Sequence, residues 1–325
     1  MRFRVAAAAL SLVLPLCALA QGSSKQIPAR TEIHSIPSLT ISDEQFLKGD
    51  GAGKPVAVSG VLRIAQGTGR LPAVVLIHGS GGMGPNIDFW SRELNAMGIS
   101  TFALDGFTGR GFASVNTDQA LLGRLNMIVD AYAMLDVLAK HPRVDPSRIV
   151  LMGFSRGGQA ALFAAMKRSH EHWNKSGAEF AAYVPFYPDC MTTYRADTEV
   201  VDRPIRIYHG APDDYNPVAP CKGYVARLAA AKRDVKLTEY ANAPHGFDNP
   251  LGATPPSVAK GAQTVRRCTI REDAAGKLIN ASTGQPFTYK DACVEHNPHV
   301  GYDLAAAAGA RQEVGAFLTT LFKLY

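Results

Sequence analysis

A serine, two aspartates and a histidine stand in the chain in an order that could support nucleophilic catalysis. Ser155 lies in the run GFSRGG (153–158), Asp213 and Asp214 are adjacent, and His245 follows them. A serine hydroxyl is a weak nucleophile near neutral pH, so it needs a base, and the base needs a carboxylate to orient it. The order Ser, Asp, His therefore predicts a catalytic triad for acyl transfer.

The candidate nucleophile is framed by glycines. A predicted buried strand, Arg148–Met152, runs into the G-x-S-x-G pattern, and a predicted helix, Gln159–Lys167, follows it. A Cβ at Gly153 or Gly157 would collide with neighbouring backbone in the strained turn that holds such a serine out at the sheet edge. The alternative is a plain strand-to-helix turn in which the serine caps the helix.

The acid and the base each follow a predicted strand. We expect Asp213 to be the acid, with Asp214 as the alternative; on the first assignment Asp214 caps the helix that comes next. His245 is the expected base because, among the histidines, it alone follows the last predicted strand after the acid. His78 and His209 also follow strands, and we expect them to pack or to form hydrogen bonds locally.

Acyl transfer also needs backbone N–H groups that stabilise the tetrahedral oxyanion. One should belong to Arg156, the residue after the nucleophile, and the other to Ser80, with Gly81 as the second choice. Ser80 and Gly81 lie in the run HGSGG (78–82), directly after the predicted buried strand Ala73–Ile77.

The elements that must position these residues alternate along the chain. Apolar runs of strand length are followed by stretches of helical period, which is typical of a mostly parallel sheet flanked by helices. Two early strands, Thr31–Pro37 and Pro55–Ala65, come without a helix between them and should form an antiparallel edge. Helices are predicted over 89–97, 118–139 and 303–322. Because function in open α/β sheets collects at the carboxyl ends of the strands, the triad candidates should share one edge.

Taken together, these motifs resemble the dienelactone hydrolase family of α/β-hydrolases. The motifs concerned are HGSGG (78–82), GFSRGG (153–158), HGAPD (209–213) and PHGF (244–247). The resemblance covers roughly residues 55–250. It implies the α/β-hydrolase fold, with a mostly parallel central sheet flanked by helices on both faces. It also implies an esterase without a cofactor that uses Ser155, Asp213 and His245.

Two departures from the family bear on the substrate. The name-giving enzymes carry cysteine where this chain has Ser155, and they hold a substrate carboxylate with an arginine shortly after the histidine. Phe247, Asp248 and Asn249 occupy that stretch here. A dienelactone and a neutral or aromatic ester both stay open as substrates.

The first twenty residues have the pattern of a secretory signal peptide. A short basic stretch precedes an apolar run, Val5–Leu16, and the triplet ALA (18–20) is the small-x-small pattern of a cleavage site. We expect cleavage near Ala20 and a single α/β-hydrolase domain over residues 21–325, exported to a periplasm or out of the cell. The alternative is a lipid anchor at Cys17.

Four cysteines follow the predicted leader, and an even number in an oxidising compartment favours disulfides. Four cysteines allow three pairings, and proximity in sequence favours Cys190 with Cys221 and Cys268 with Cys293. No CxxC or HxxxH spacing supports a zinc site, so no metal is expected.

Charge and hydropathy restrict the partners. The formal net charge is +6, and the basic residues are scattered among acids, so no nucleic-acid partner is expected. No stretch after the leader reaches the roughly 20 apolar residues that a membrane span needs. We expect a monomer that acts on a small-molecule ester or lactone.

Three other functions stay open. The run GSGGMG (79–84) with Asp105 matches a dinucleotide fingerprint of oxidoreductases that bind NAD, although Pro85 and Asn86 predict a loop where its helix should begin. The same fold could also bind a ligand without turnover, or it could cleave peptides.

The segment from about 250 to 300 is long for a loop. Gly276 and Gly284 are turn signals of a hairpin that the second cysteine pair could hold together. The segment is either a surface decoration or a border of the substrate pocket. The residues expected in that pocket are Phe107, Arg110, Phe154, Tyr187, Tyr215 and Phe247.

Overall fold

The computed structural model of the protein describes residues 27–324, so the predicted leader lies outside the described residues. A mixed central sheet organises this part of the chain. Its strands are β1 (Arg30–Thr40), β2 (Lys54–Ile64), β3 (Leu71–Ile77), β4 (Ser100–Asp105), β5 (Val144–Phe154), β6 (Ala182–Phe186), β7 (Ile205–Gly210) and β8 (Val235–Tyr240). Their order across the sheet is β1-β2-β4-β3-β5-β6-β7-β8. Neighbours from β4 to β8 run parallel, whereas β2 is antiparallel to both β1 and β4.

Helices cover both faces of this sheet. They are α1 (Asp43–Lys48), α2 (Pro85–Ala96), α3 (Asn126–Lys140), α4 (Arg156–Ala164), α5 (Lys167–Trp173), α6 (Val218–Ala230) and α7 (Leu304–Phe322). Side chains of a strand alternate between faces. In β3, Val75 and Ile77 belong to the core on the face that carries side chains of α3 and α4, while Val74 and Leu76 belong to the core on the other face, which carries side chains of α2 and α7. A strand buried on both faces needs the continuous apolar run seen here.

The antiparallel edge predicted from the sequence is confirmed, since β1 pairs with β2 along its whole length. The expectation of no helix between these strands is wrong. Helix α1 forms there because Ser42 and Gln45 make a reciprocal capping box, and Gly49, with φ of 68°, ends the helix in the left-handed region. The two edge strands are thus joined by a short capped helix.

Helix α2 begins at Pro85, four residues before the predicted start. Proline suits the first turn of a helix because that turn has no acceptor for the missing N–H. The expectation that Pro85 and Asn86 form a loop is therefore wrong. This objection to a dinucleotide site no longer holds.

Helix α3 begins at Asn126 rather than near residue 118. A single 3-10 turn covers Gln119–Leu121, and Leu122 is extended. A Cβ on Gly123 would lie 2.8 Å from the carbonyl oxygen of Ile41, so the chain packs closely against the end of β1 before the helix starts. This tertiary contact delays the start of α3, although the helical spacing of apolar residues begins earlier in the sequence.

The segment from 250 to 300 consists of short paired strands. They are Ser257–Val258, Gln263–Thr264, Ile270–Glu272, Leu278–Asn280, Glu295–His296 and His299–Val300. The predicted hairpin is present, with Ile270–Glu272 antiparallel to Leu278–Asn280. The strand Thr192–Thr193 pairs in parallel with Ile270–Glu272. Disulfides link Cys190 to Cys221 and Cys268 to Cys293, the pairing that proximity favoured.

Across residues 27–324, no helix is both long and apolar enough to cross a bilayer.

Candidate active site

Four chain segments meet at the carboxyl edge of the parallel strands. Ser155 directly follows β5, Asp213 follows β7, His245 follows β8, and the glycine-rich run 78–82 follows β3. Parallel strands deliver their carboxyl ends to one edge, which is why residues distant in sequence converge there.

Ser155 lies in a strained turn between β5 and α4, with φ of 55° and ψ of −113°. The turn is tight because its glycines touch backbone. A Cβ on Gly153 would lie 2.0 Å from the carbonyl oxygen of Gly157, and one on Gly157 would lie 2.2 Å from that of Ile77. A positive φ is costly for serine and persists only where surrounding structure enforces it, as at many functional sites.

The three triad candidates form one hydrogen-bonded chain. His245 Nε2 lies 2.9 Å from Ser155 Oγ, and His245 Nδ1 lies 2.8 Å from Asp213 Oδ2. A carboxylate only accepts hydrogen bonds, so Nδ1 carries the ring proton and Nε2 is free to accept the serine proton. The arrangement can make the hydroxyl nucleophilic.

Asp213 and Asp214 have different partners. The Asp213 side chain is fully buried, and its second oxygen accepts the backbone N–H groups of Tyr215 and Asn216, each at 2.9 Å. Asp214 instead accepts hydrogen bonds from Arg266 and from the backbone of His299, both in the 250–300 segment.

The sequence suggested that Asp214 caps the next helix, and this expectation is wrong. Pro217 precedes α6, and no side chain caps that helix. Partial burial opposes ionisation of Asp214, but the hydrogen bonds from His299 and the charge of Arg266 outweigh it and lower the pKa of the carboxyl. Asp214 is thereby part of the contact that fastens the 250–300 segment beside the site.

Aromatic rings hold the imidazole of His245 on two sides. The ring of Tyr215 stacks on it at 4.6 Å between centroids, and the ring of Tyr187 meets it edge-on at 4.7 Å. The backbone N–H of Gly301 donates to the carbonyl oxygen of His245 at 3.0 Å. Packing and backbone contacts therefore fix the ring in the orientation that faces Ser155.

Tyr187 is itself anchored from behind. Its hydroxyl donates to Asp248 at 2.6 Å, and the indole N–H of Trp90 donates to the same carboxyl at 2.7 Å. Burial raises the pKa of Asp248, and these two donors partly offset that effect. The backbone of Tyr187 has a positive φ of 34°, so the anchor holds a conformation that is unfavourable for the isolated residue.

The residues expected to form the oxyanion hole lie near the serine on two different elements. Arg156 is the first residue of α4, where no acceptor within the helix exists. The run 78–82 passes close by, since a Cβ on Gly79 would lie 3.2 Å from the Cβ of Ser155. Ser80 and Gly81 follow in this loop and line the same cavity as Ser155.

His78 and His209 are buried and remain outside the triad. His78 Nδ1 donates to the carbonyl oxygen of Gly79 at 2.7 Å, and Nε2 accepts the N–H of Gly106 at 3.2 Å. His209 Nδ1 lies 3.2 Å from the carbonyl oxygen of Gly210. Burial lowers the pKa of both imidazoles. Both histidines therefore serve as neutral hydrogen-bonding groups of the core.

A cavity of about 310 Å³ opens over the serine. Phe154, Tyr187 and Tyr215 line it, as expected from the sequence. Phe107, Arg110 and Phe247 do not, which corrects their assignment to the pocket.

Each of these three side chains is engaged elsewhere. The ring of Phe107 packs edge-on against His78 at 4.4 Å, and Phe247 is fully buried behind Tyr187. The guanidinium of Arg110 forms two hydrogen bonds of 2.8 Å with the buried carboxylate of Asp130.

Sequence reasoning missed several neighbours of the site. Gln119 links the hydroxyl groups of Ser80 and Tyr215, and Thr264 donates to the carbonyl oxygen of Tyr215 at 2.6 Å. Both lie in segments without a motif, so no sequence signal marks them. Val300 and Gly301 also line the cavity, so the 250–300 segment borders it.

Comparison with known proteins identifies the family and similar folds. A model of the dienelactone hydrolase family matches residues 58–273. A search of curated proteins finds no match. One similar solved structure is a protein from Klebsiella pneumoniae subsp. pneumoniae assigned as a dienelactone hydrolase, with 15% identity and a TM-score of 0.56. The alignment covers 89% of this chain and 99% of that one.

A second similar structure is P91, described as a dienelactone hydrolase-like promiscuous phosphotriesterase from metagenomic libraries. It has 18% identity and a TM-score of 0.55 over 90% of this chain and 98% of its own. At these identities the two structures support the fold, and the family match carries the assignment. The chain belongs to the dienelactone hydrolase family, whose members are α/β-hydrolases acting on ester bonds.

Proposed function

We propose that the protein is a serine esterase that cleaves a carboxylic ester or lactone through an acyl-enzyme. Ser155 is the nucleophile, His245 the general base and Asp213 the acid that orients it. The observation that carries the proposal is the unbroken hydrogen-bond chain from Ser155 Oγ through the imidazole to Asp213, at 2.9 and 2.8 Å.

In the first half of the reaction, His245 Nε2 takes the hydroxyl proton while Ser155 Oγ bonds to the carbonyl carbon. The carbonyl oxygen becomes an oxyanion, which the backbone N–H groups of Arg156 and of Ser80 or Gly81 stabilise. The bond to the leaving oxygen then breaks, and that oxygen takes the proton from Nε2.

In the second half, water replaces the departed alcohol. His245 takes a proton from the water, and the resulting hydroxide attacks the acyl carbon. The bond to Ser155 Oγ breaks, the serine recovers the proton, and the carboxylic acid leaves. Asp213 keeps its negative charge throughout and stabilises the imidazolium that forms twice in the cycle.

The lining of the 310 Å³ cavity favours a neutral substrate. Over the part of the chain that the structure describes, its wall is made of Ser80, Ser155, His245, glycines, asparagines, aromatic rings and small apolar side chains, without lysine, arginine, aspartate or glutamate. Asp248, near the position where the name-giving enzymes hold a carboxylate, is buried and occupied by Tyr187 and Trp90. A neutral or aromatic ester therefore fits better than an anionic one.

We further propose that residues 21–325 form one exported domain that works as a monomer without a cofactor. The two disulfides support an oxidising compartment. The 250–300 segment belongs to this domain because its residues Arg266 and His299 contact Asp214, and Gly301, directly after it, contacts His245.

The test is hydrolysis of p-nitrophenyl acetate by the purified protein. We expect turnover by the wild type and a loss on the order of a million-fold in kcat for Ser155→Ala and for His245→Ala. Asp214→Asn is the matched control, because it removes a nearby charge outside the triad and should keep kcat within about 10-fold of the wild type. Wild-type turnover that survives Ser155→Ala would refute the proposal.

A further inference from the structure

Two cavities of very different size meet at Ser155. Besides the opening of about 310 Å³, a second and much smaller cavity of about 30 Å³ borders the serine. Ser80, Ser155 and Tyr215 line both. An ester bound at Ser155 has two substituents on its carbonyl carbon to place, the acyl group and the leaving oxygen.

The position of the base decides which substituent enters which cavity. His245 must hand a proton to the leaving oxygen, and it lines only the large cavity. The leaving group therefore lies in the large cavity and the acyl group points into the small one.

The small cavity has room for few atoms. One water needs roughly 10–15 Å³ of cavity, so about 30 Å³ holds about two waters, or about two carbon atoms of an acyl chain beyond the carbonyl carbon. An acetyl methyl fits, and a propionyl group reaches the limit.

The walls of the small cavity are tied in place. Gln119 is held by Ser80 and by Tyr215, at 3.0 and 3.3 Å. The buried guanidinium of Arg124 is held by Asp189 and by the hydroxyl of Tyr289. Because these contacts would have to break to admit a longer chain, the wall resists expansion.

We propose that the enzyme is selective for esters of two- and three-carbon acyl groups, acetate foremost, carried by a larger neutral alcohol or phenol. This inference rests on the serine-esterase function proposed above. One methylene can change kcat/KM by roughly 10-fold to 200-fold where a pocket sets the limit, so the decline should begin at butyrate.

The test is a series of p-nitrophenyl esters with acetyl, propionyl, butyryl and hexanoyl groups, which keep one leaving group. We expect kcat/KM to fall at least about 10-fold from acetate to butyrate and further at hexanoate. Equal or rising kcat/KM with chain length, in protein whose Ser155 reacts with a fluorophosphonate, would overturn the inference alone. No hydrolysis of any ester and no reaction of Ser155 would overturn the proposed function as well.

Variants locate the selectivity. Val265 is buried in the wall of the small cavity, and Val265→Ala removes two methyl groups there. We expect the ratio of butyrate to acetate kcat/KM to rise at least about 10-fold. Val300→Ala is the matched control, since Val300 lines only the large cavity and its loss should leave that ratio unchanged.

Gln119→Ala enlarges the same wall by a second route and covers the case in which Val265→Ala fails to fold. Thermal unfolding checks both variants before the kinetics are measured. A ratio that stays at the wild-type value in folded Val265→Ala and in Gln119→Ala would overturn the assignment of the small cavity to the acyl group.

Discussion

Adjacent aspartates at positions 213 and 214 have separate tasks because their surroundings differ. Asp213 is buried with its two oxygens divided between His245 and two backbone N–H groups. Asp214 is partly exposed and contacts the 250–300 segment. The role of each aspartate is therefore set by its hydrogen-bond partners and not by its residue type alone.

Replacing each aspartate separates the two tasks. We expect Asp213→Asn to lower kcat on p-nitrophenyl acetate by about 10⁴-fold, because an amide no longer holds the imidazole in the tautomer that accepts the serine proton. Asp214→Asn should keep kcat within about 10-fold and should lower the melting temperature, since it weakens the contacts to Arg266 and His299. Equal losses of kcat in the two variants would contradict the assignment.

The turn between β5 and α4 is the element on which the nucleophile depends. Gly153 lies against the backbone of Gly157, so a methyl group has no space there. Gly223, within α6, has no neighbouring atom within 4 Å of an added Cβ. The two glycines therefore give opposite expectations for the same substitution.

Gly153→Ala should lower the free energy of unfolding by more than about 1 kcal/mol, because overpacking against rigid backbone forces the turn to shift. Gly223→Ala should raise it by about 0.5–1 kcal/mol, because alanine is the better helix former. Urea denaturation measures both. A Gly153→Ala variant with an unchanged free energy of unfolding and full esterase activity would show that the turn has space for a methyl group.

The disulfide-linked hairpin is the second element with a testable contribution. Cys268 and Cys293 are 25 residues apart, and the loss of chain entropy in the unfolded state on closing a loop of that length stabilises a fold by about 3.5 kcal/mol. We expect the double variant Cys268→Ser with Cys293→Ser to lose about that much free energy of unfolding in urea. A loss below about 1 kcal/mol would mean that the hairpin is held mainly by its other contacts.

Much of the active-site edge was predictable from the sequence because its signals are local. Apolar strands ending in GFSRGG, and in loops that carry Asp213 and His245, mark the carboxyl edge without knowledge of the packing. The start of α2 was missed although its signal, Pro85, is local, whereas the start of α3, the partners of Asp214 and the contacts of Gln119 were not predictable. Each of these last three depends on a residue far away in the chain, such as Ile41 for the start of α3 or Arg266 for Asp214.

The stability of the whole molecule should depend on pH through its buried neutral histidines. Burial lowers the folded-state pKa of His78 and of His209 below the ordinary value of 6.5. At a pH between the folded and the unfolded pKa, the unfolded chain binds more protons than the folded chain. The contribution of these histidines to the free energy of unfolding is therefore fully present above about pH 6.5 and is lost as the pH falls below that value.

The slope of the unfolding free energy against pH isolates one of these histidines. Each contributes about 1.4 kcal/mol per pH unit in its window, so His78→Asn should reduce the slope between pH 5 and 6.5 by up to that amount. Comparing slopes cancels the titration of the other groups and any constant cost of the substitution. An unchanged slope would contradict a neutral, buried His78.

The most direct test of the central claim is covalent labelling with a fluorophosphonate, followed by peptide mass spectrometry. We expect one adduct on the wild type, located at Ser155, no adduct on folded Ser155→Ala, and labelling at least about 100-fold slower on His245→Ala. Folded wild type that stays unlabelled, or labelling of Ser155 that is equally fast without His245, would contradict the claim.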